Sequence, residues 1–397
     1  MKILVIHSKY RQLGGEDIVV NQEISLLKNY YDVDSLVFQN LSGIKGFFQF
    51  LSSLWNFRVY RIVKKEINRF KPDIVFVHNW HYATGPIVFR AVKSMNIPVV
   101  HTLHNYRLIC PSATLMHKDK LFDASLNSQF PWKAIFKKVY RNSYAQTFYL
   151  AFIVWVHKKI GTWNLIDKFI CLTRNGVDLF VNAKLGFQKE QFVVKPNFIF
   201  PVQHNFTLPR ADHFLYVGRL SSEKGIELLI KAFEGTEYKL SIAGDGPLKE
   251  KIISAAAQNP NINYIGKLNS SQLIEEYKKA KALIFPSIWY EPFGMTIIEA
   301  YACALPVIAS GIGASLELVK HGKTGLIFTS GNRQALRKAL DEMSGYSQPQ
   351  YQELQRQAEA YFYSDFSPKS QEEYFKKVFS SLLYDKKKDT IGLNSQP

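Results

Sequence analysis

The sequence predicts an α/β protein built from two doubly wound, Rossmann-like domains. Short apolar runs typical of buried strands alternate with helical periods through the first half, and the same alternation begins again after Pro196-Asn197. Strands that alternate with helices are joined by right-handed crossovers and form parallel sheets. The length of 397 residues suits two domains. Open α/β sheets bind ligands at the carboxyl ends of their strands, so we expect the two domains to face each other across a ligand cleft.

In the first half, strands and helices are predicted in regular succession. The strands are expected at residues 3–7, 33–38, 73–78, 98–103, 168–172 and 192–194, and the helices at 16–28, 57–70 and around 86–95. The helix at 57–70 is basic, and Pro72 stops it because a proline disfavours helical backbone in the residue before it.

The second half repeats the pattern after a segment, residues 198–212, that holds two prolines and suits a linker. Strands are expected at 214–217, 239–242, 263–265, 282–286, 306–309 and 326–328, and helices at 225–233, 248–257, 270–280, 295–303, 315–319 and 333–343, before a helical region at 350–383 and a polar tail from Lys386. The predicted domains are therefore 1–197, 198–365 and a C-terminal helix and tail, 366–397.

Composition limits the class of protein. Hydrophobic residues make up 47% and charged residues 21%, which excludes a disordered chain. Cys110, Cys171 and Cys303 lie far apart, so neither a structural zinc site nor a disulfide framework is expected, and a reducing, cytoplasmic compartment fits. The first apolar run is shorter than a secretory signal, and no run approaches the ~18–20 apolar residues of a membrane span.

The net charge of +17 is uneven, because residues 1–200 carry +15 of it. Such a local field attracts an acidic surface or ligand. Nucleic acid and an anionic membrane both fit the charge, which by itself does not separate them.

The strongest motif runs from Ser287 to Glu299, after an apolar strand and into a helix. Glu291 precedes a proline and should lie in the loop. The amides of Gly294, Met295 and Thr296 would begin the helix and offer an anion site reinforced by its dipole. The Glu299 carboxylate, a turn and a half later, could accept from paired sugar hydroxyls; the alternative is a solvated carboxylate on an ordinary helix.

The second motif, residues 218–225, lies between the first strand and first helix of the second half. Arg219 can bind a diphosphate bidentately and Lys224 can act as a point charge. Such cations stabilise a departing diphosphate without a metal ion.

Two weaker signals lie in the first half. Gly14-Gly15 precedes a helix and would allow close approach to a phosphate, although the loop is not a GxGxxG fingerprint. His104 follows a strand and could face the cleft, the alternative being a histidine satisfied in the core. His7, His78, His81 and His101 are expected to be structural or peripheral.

Together these motifs resemble glycosyltransferase family 4, with its two-domain GT-B fold. The matching pieces span roughly residues 1–380: Gly14-Gly15-Glu16, Thr102-Leu103-His104, Pro196-Asn197, Val217-Gly218-Arg219-Leu220 with Glu223-Lys224-Gly225, Gly244-Asp245-Gly246-Pro247, and Glu291-Pro292-Phe293-Gly294 with Glu299. The resemblance implies a retaining transfer from a nucleotide-sugar, with no cofactor and no metal.

The same resemblance implies roles for individual residues. Catalytic roles fall to Glu291, His104, Arg219 and Lys224, and donor binding to Gly14, Gly15, Asn197, Arg219, Lys224, Gly294, Met295, Thr296 and Glu299. Asn105 stands where the family often has an aspartate, which bears on donor-sugar contacts. Retention is expected through front-face attack with the leaving phosphate oxygen as base, so no protein nucleophile is assigned.

The acceptor, a glycan or a lipid-linked glycan, is expected on the basic first half. Residues 130–141 mix aromatic side chains with cations, and an apolar stretch at 148–156 precedes Lys158-Lys159. Interfacial helices use such a surface on anionic lipid, so the protein could lie on the inner face of the membrane. The alternative is an aromatic helix packed inside the domain with its lysines reaching outward.

Other functions explain less of the sequence. A dinucleotide oxidoreductase lacks its glycine fingerprint and its acidic ribose ligand here. A nucleic-acid-binding protein would explain the charge but not the glutamates of the second half, and no known module is present. A nucleotide-sugar epimerase or a phosphorylase would share the two-domain shape, but no lysine context suggests pyridoxal phosphate.

Overall fold

The computed structural model describes residues 1–10, 14–202 and 210–392. The chain divides into two compact units. The first contains Met1–Ala113, Ala124–Pro196 and the chain from Gln371 onward, and the second contains Thr114–Asp123 and Asn197–Ser370. The boundary after Pro196 lies one residue from the predicted one. Part of the predicted linker, residues 203–209, and part of the loop at 8–16, residues 11–13, lie outside the described residues.

The strands, in chain order, are β1 (Lys2–Lys9), β2 (Asp32–Gln39), β3 (Ile74–Asn79), β4 (Val99–Leu103), β5 (Met116–His117), β6 (Lys120–Leu121), β7 (Lys168–Cys171), β8 (Phe192–Val194), β9 (His213–Val217), β10 (Lys239–Ala243), β11 (Ile262–Gly266), β12 (Ala282–Phe285), β13 (Val307–Ser310) and β14 (Gly325–Phe328).

The α-helices are α1 (Gly15–Leu27), α2 (Gly43–Ser52), α3 (Phe57–Phe70), α4 (Ile87–Lys93), α5 (Trp132–Phe136), α6 (Tyr144–Lys159), α7 (Arg174–Asn182), α8 (Ile226–Phe233), α9 (Lys249–Gln258), α10 (Ser270–Lys279), α11 (Met295–Ala302), α12 (Ser315–Leu318), α13 (Arg333–Gly345), α14 (Gln348–Tyr361) and α15 (Pro368–Gly392).

Each unit is built on a parallel sheet. The first has strand order β2-β1-β3-β4-β7-β8 and the second β11-β10-β9-β12-β13-β14, and every pairing within them is parallel. The prediction of two doubly wound α/β domains is confirmed. In both sheets the strand order reverses beside the first strand of the unit, and such switch points are where these folds bind ligands.

Local sequence explains the central elements of the first sheet. All residues of β3 and β4 are buried, as their continuous apolar runs predict. Helix α3 buries Val59, Val63 and Ile67 on one face, and the Asn56 side chain accepts from the Val59 amide at its start.

The predicted C-terminal segment 366–397 does not stand apart in the structure. From Gln371 onward α15 belongs to the first unit, and its rings pack on that unit's sheet. The centroids of Phe375 and Phe379 lie 6.1 and 6.3 Å from that of Phe76 in β3. Burial of these rings is the physical reason that the chain returns to its first unit.

In the described part of the chain, no helix combines the length and apolar character needed to cross a membrane.

Candidate active site

Three loops of the second unit, after β9, β12 and β13, come together around Glu291. Gly225 has a φ of +73°, and a Cβ there would lie 2.0 Å from the Pro286 carbonyl oxygen, so only glycine lets these loops approach. The Ile288 amide donates to the Glu223 carbonyl at 3.0 Å. On the other side, a Cβ on Gly313 would lie 2.8 Å from the Glu291 amide nitrogen. These close contacts hold Glu291 on a fixed backbone.

Two residues predicted from separate motifs form an ion pair here. Lys224 Nζ lies 2.5 Å from Glu291 Oε1, with side-chain exposures of 25% and 6%. The Ser287 hydroxyl donates to the same oxygen at 2.7 Å. Lys224 Nζ also lies 5.4 Å from the Trp289 ring centroid. The site thus presents a cation at its surface above a nearly buried carboxylate.

Arg219 lies on the neighbouring loop with an exposed side chain. Its backbone is fixed, because the Tyr216 hydroxyl donates to the Arg219 carbonyl at 2.9 Å. The guanidinium itself makes no hydrogen bond or ion pair with a described residue. It remains available to a ligand.

The Gly244–Pro247 turn packs directly against this loop. The Leu220 amide donates to the Asp245 carbonyl at 3.0 Å. A Cβ on Gly244 would lie 1.9 Å from the Gly218 carbonyl oxygen. The glycines of the two motifs are therefore explained by the close approach of two loops.

Helix α11 begins beside these loops. Gly294 is its N-cap and Met295 and Thr296 form its first turn, where amides have no intrahelical acceptor. Asn197 lies against this turn, with Nδ2 3.5 Å from Met295 Sδ. Asn197 Oδ1 is buried and has no hydrogen-bond partner among the described residues. The helix start thus carries free donors and a polar neighbour.

Glu299 is held by a partner that the sequence did not predict. The Tyr277 hydroxyl donates to Glu299 Oε2 at 2.8 Å. Burial raises the pKa of Glu299, and the Tyr277 hydrogen bond works against that rise. Glu299 is therefore a positioned carboxylate and not a solvated one on a helix surface.

In the first unit, His104 belongs to a buried polar cluster. Its Nε2 lies 3.1 Å from His78 Nδ1, and the two rings stack at 5.4 Å. Burial, followed by the neighbouring His78, lowers the pKa of His104 well below its ordinary value, so the ring is neutral at pH 7. His78 Nε2 in turn lies 3.3 Å from Glu23 Oε2, and Glu23 Oε1 lies 2.5 Å from Lys195 Nζ. His78, predicted to be structural or peripheral, is a direct partner of the candidate His104.

Gly14 and Gly15 begin α1. The Gly14 amide donates to Asp17 Oδ2 at 3.0 Å, and Asp17 Oδ1 lies 2.8 Å from His7 Nε2. Among the described residues, a Cβ on either glycine would meet nothing within 4 Å. Packing against the described part of the chain therefore does not explain these glycines.

The residues that sequence reasoning missed are mainly partners of predicted ones. They are Asp17, Glu23, His78, Lys195, Tyr277, Ser287 and Gly313. For His78 the sequence did carry a usable signal. His78 ends the predicted strand 73–78, just as His104 follows the predicted strand 98–103, so both could have been expected at the same edge of the sheet. Asp17 and Ser287 contact residues only three and four positions away. The contacts of the remaining residues depend on long-range packing, which no local pattern reveals.

Among the described residues, no group of three or more His, Cys, Asp or Glu side chains could hold a metal ion.

The fold matches that of solved glycosyltransferases with two Rossmann-like domains. HepE of Anabaena, solved in complex with UDP, gives a TM-score of 0.66 at 17% identity, over 96% of this chain and 100% of that one. Sucrose-phosphate synthase of Thermosynechococcus elongatus gives 0.68 at 17% identity, over 97% and 99%. At this identity the likeness concerns the fold, which is the GT-B type.

Sequence comparison gives the family. The family description "Glycosyltransferase Family 4" matches residues 32–201, and "Glycosyl transferases group 1" matches residues 206–365. The protein named "Uncharacterized glycosyltransferase MJ1178" of Methanocaldococcus jannaschii is 31% identical over 86% of this chain and 88% of its own length. The chain belongs to the glycosyltransferase family 4 (group 1) enzymes, as the motifs predicted.

Other relatives match over a shorter region. D-rhamnosyltransferase WbpZ of Pseudomonas aeruginosa is 32% identical over 37% of this chain. The chain spans 39% of the length of that relative and 35% of glycosyltransferase MJ1607 of M. jannaschii.

Proposed function

We propose that this enzyme is a retaining, metal-independent transferase that moves a sugar from a nucleoside-diphosphate sugar to a glycan or lipid-linked acceptor. The observation that carries the proposal is the grouping of Lys224, Glu291 and the start of α11 on adjoining loops, beside an Arg219 with no partner in the described chain. This grouping offers two cations and free amides to a diphosphate, and carboxylates to sugar hydroxyls.

In the proposed reaction, Arg219 and Lys224 bind the donor diphosphate and stabilise the charge that develops as it departs. Amides at the start of α11 add to this stabilisation. No resident metal or other cofactor is required in this proposal, because Arg219 and Lys224 supply the positive charge. Glu299, oriented by Tyr277, accepts from the ribose hydroxyls.

The ion pair assigns a second role to Glu291. Without donor, the carboxylate neutralises Lys224. When the diphosphate attracts the Lys224 ammonium, Glu291 retains the Ser287 hydrogen bond and is free to accept from a donor-sugar hydroxyl. From the family resemblance we also propose that His104 contacts the donor sugar and that Gly14-Gly15 contacts the phosphates. The acceptor hydroxyl attacks the face that the phosphate leaves, and its proton goes to the departing phosphate oxygen.

The relatives support a nucleotide-sugar donor and a polysaccharide product. The HepE structures contain UDP, and one contains UDP-glucose. Relatives over part of the chain include a capsular polysaccharide glycosyltransferase of Staphylococcus aureus and an O-antigen mannosyltransferase of Escherichia coli. We therefore propose a role in the synthesis of a cell-envelope polysaccharide.

A thermal-shift panel with UDP, GDP, ADP, dTDP and NAD, each with and without EDTA, tests the donor. A ligand at 100 times its dissociation constant stabilises by about 2.7 kcal/mol. We expect one nucleoside diphosphate to stabilise the protein equally in both conditions. Stabilisation by NAD alone would favour an oxidoreductase. Loss of the shift on EDTA addition would contradict metal independence, and the anomeric configuration of the product, read by NMR, tests retention.

We also propose that the enzyme is cytoplasmic and works on an anionic membrane surface, and helix α2 is the first support. Its apolar side chains recur at helical spacing, i, i+3, i+4 and i+7, yet face solvent: Ile44, Phe47, Phe48 and Leu51 are 78%, 55%, 63% and 41% exposed. Side chains in this pattern normally bury against a core. Here the helix buries Gly46 and Phe50 instead and leaves an apolar face uncovered.

The second support is the charge of the surrounding chain. Residues 35–65 carry five Lys or Arg and no acidic residue, and residues 124–166 carry six and none. The two segments are in contact, because the Phe50 ring lies 5.3 Å from Tyr149 and 6.0 Å from Tyr140. Trp132, Phe136 and Phe148 add further exposed aromatic surface. Exposed apolar side chains among unopposed cations suit the interface of an anionic bilayer.

Sedimentation with vesicles tests this second proposal. We expect the protein to sediment with phosphatidylglycerol-containing vesicles and not with pure phosphatidylcholine. Replacing Phe47 and Phe48 with serine should reduce sedimentation at least tenfold, whereas Ile253→Ser, at a 40% exposed site on α9, should not. Equal sedimentation of wild type and the double variant would overturn the assignment of α2.

A further inference from the structure

A polar recess opens in the first unit at the carboxyl ends of β3 and β4. Its lining includes Asn79, His81, Thr102, His104 and Arg107. These strands are adjacent at the centre of the sheet, where open α/β folds bind ligands.

Arg107 has unused hydrogen-bonding capacity in this recess. Its Nε and Nη1 are both buried, and neither has a hydrogen-bond partner among the described residues. The Thr102 hydroxyl, in the same lining, is also buried without a partner. Buried donors are normally satisfied, and a guanidinium can only donate, so the missing partner must be an acceptor.

The surroundings of Arg107 favour a negatively charged acceptor. Its guanidinium lies 5.8 Å from the Tyr140 ring centroid, and that of Arg141 lies 5.1 Å from the same ring. The Tyr140 hydroxyl is 3.1 Å from His81 Nε2. Burial and then the two arginines lower the pKa of His81 well below its ordinary value, so the ring is neutral.

The acidic side chain that interacts with Arg107 does not neutralise it. Glu16 makes no ion pair within 4 Å with any described residue. Burial, followed by the charge of Asp17, raises the pKa of Glu16 to about 8, so the carboxyl is largely protonated at pH 7. Among the described residues, no carboxylate lies within ion-pair distance of the Arg107 guanidinium.

We propose that this recess binds an oxyanion of the acceptor, a phosphate or a carboxylate, through Arg107. The inference rests on the proposed function and deepens it, because it makes the acceptor substrate anionic. Arg107 and Leu108 also line a second recess that includes Trp155 and Lys158. An acceptor held by its anion at Arg107 can therefore extend its remaining sugar or lipid portion along this adjoining surface.

Dose curves of thermal stabilisation test the proposal with defined probes: methyl phosphate, glucuronate and glucose. The titrations are made with the stabilising nucleoside diphosphate at saturation, so that the donor site is filled. We expect one or both anions to bind at least tenfold more tightly than glucose. A preference for methyl phosphate indicates a phosphorylated acceptor such as a lipid phosphate, and one for glucuronate indicates an acidic glycan.

Variants locate the effect. Arg107→Gln should weaken anion binding at least tenfold, and Thr102→Val should weaken it less. Arg61→Gln, which removes an exposed cation of α3, should leave it unchanged. If Arg107→Gln is poorly folded, Arg107→Lys keeps the charge, loses the fork geometry and should retain intermediate affinity.

Two results would overturn the proposal: no preference for anions over glucose, or unaltered anion affinity in the Arg107 variants. An equal loss of nucleoside-diphosphate affinity in Arg107→Gln would assign the guanidinium to the donor and overturn it too. If no nucleoside diphosphate binds the wild type, the titrations are made without one. If the wild type then binds the anions and Arg107→Gln does not, the result supports an oxyanion site in the recess, although the proposed function has failed.

Discussion

Lys224 and Glu291, 67 positions apart in the chain, form an ion pair in which Nζ lies 2.5 Å from Oε1. The pair joins the loops that follow β9 and β12, and Ser287 donates to the same carboxylate oxygen. A cation held at its site by a carboxylate is already in place when a diphosphate arrives.

Lys224→Ala should weaken nucleoside-diphosphate binding by about 1.5–3 kcal/mol, because a charge-assisted contact is removed. Titration calorimetry with the nucleotide that stabilises the wild type measures the change. Lys231→Ala, at an exposed position on α8, is the control and should bind normally. Wild-type affinity in Lys224→Ala would contradict the proposal that Lys224 binds the donor diphosphate.

Glu291→Gln should lower turnover at least 100-fold while changing the free energy of unfolding much less. The amide keeps the shape and can still accept from Ser287, but it loses the charge opposite Lys224. Lys224 is 25% exposed and can be resolvated, so the stability cost stays near 1 kcal/mol. Steady-state kinetics and urea unfolding make the comparison, and full activity would remove Glu291 from the site.

Tyr277→Phe should destabilise the protein more at pH 8 than at pH 5. Burial raises the pKa of Glu299, so ionisation of this carboxyl reduces stability as the pH rises from its ordinary range through the raised value. The Tyr277 hydroxyl offsets that loss by donating to the carboxylate. Its removal should cost about 0.5–1.5 kcal/mol with Glu299 protonated and about 1.5–3 kcal/mol with it ionised.

Urea unfolding at both pH values measures this difference. Tyr301→Phe is the matched control, because among the described residues the Tyr301 hydroxyl bonds to the Leu318 carbonyl and the Thr324 hydroxyl, neither of which titrates. A pH-independent loss in Tyr277→Phe would contradict the proposed coupling to Glu299.

Glu23→Gln should destabilise the first unit by about 3–5 kcal/mol, because it leaves the Lys195 ammonium buried without its counter-charge. Both side chains are at most 1% exposed. The double replacement Glu23→Leu with Lys195→Met should restore much of the stability, since it removes both charges together. Urea unfolding of the two single variants and the double variant checks this, and strictly additive losses would contradict it.

Gly225→Ala should lower the free energy of unfolding by more than about 3 kcal/mol and weaken nucleoside-diphosphate binding. The new Cβ would lie 2.0 Å from the Pro286 carbonyl oxygen and would push the loop that carries Lys224 away. Gly186 has a similar φ of +83° but open space around it. Gly186→Ala should therefore cost only the left-handed backbone penalty of about 1–2 kcal/mol. Similar losses at the two sites would show that loop contact is not what requires glycine at 225.

The helix at 57–70 shows what local pattern predicts well. Val59, Val63 and Ile67 repeat at helical spacing, and Pro72 limits the end, so the observed α3 has the predicted bounds. Helix α2 was not predicted although its apolar side chains also have helical spacing. Gly43 and Gly46 weaken the local preference for helix. The apolar face of α2 is also exposed, whereas a typical amphipathic helix packs that face against a core.

For the candidate site, the sequence suggested individual residues but not the partners that the structure places beside them. Arg219, Lys224 and Glu291 lie in loops that follow strands, and Glu299 lies within α11, all of them in recognisable motifs. The Tyr277 hydrogen bond to Glu299 and the His78 contact with His104 join residues 22 and 26 positions apart on different elements. Such contacts depend on how strands pair and helices pack, which single-chain patterns do not encode.

By itself the sequence determined the alternation of strands and helices, the repetition of that alternation in a second unit, and the motifs that place this chain in its family. These features follow from local chemistry: side-chain periodicity, proline and glycine backbone preferences, and the spacing of charges. Only the tertiary structure decided that α15 returns to the first unit, that Lys224 is neutralised by Glu291, and that two buried Arg107 donors have no partner in the part of the chain that the structure describes. The reason is physical, because burial and charge pairing arise from atoms that approach in space, and the same residue can be solvated or buried depending on which loop packs beside it.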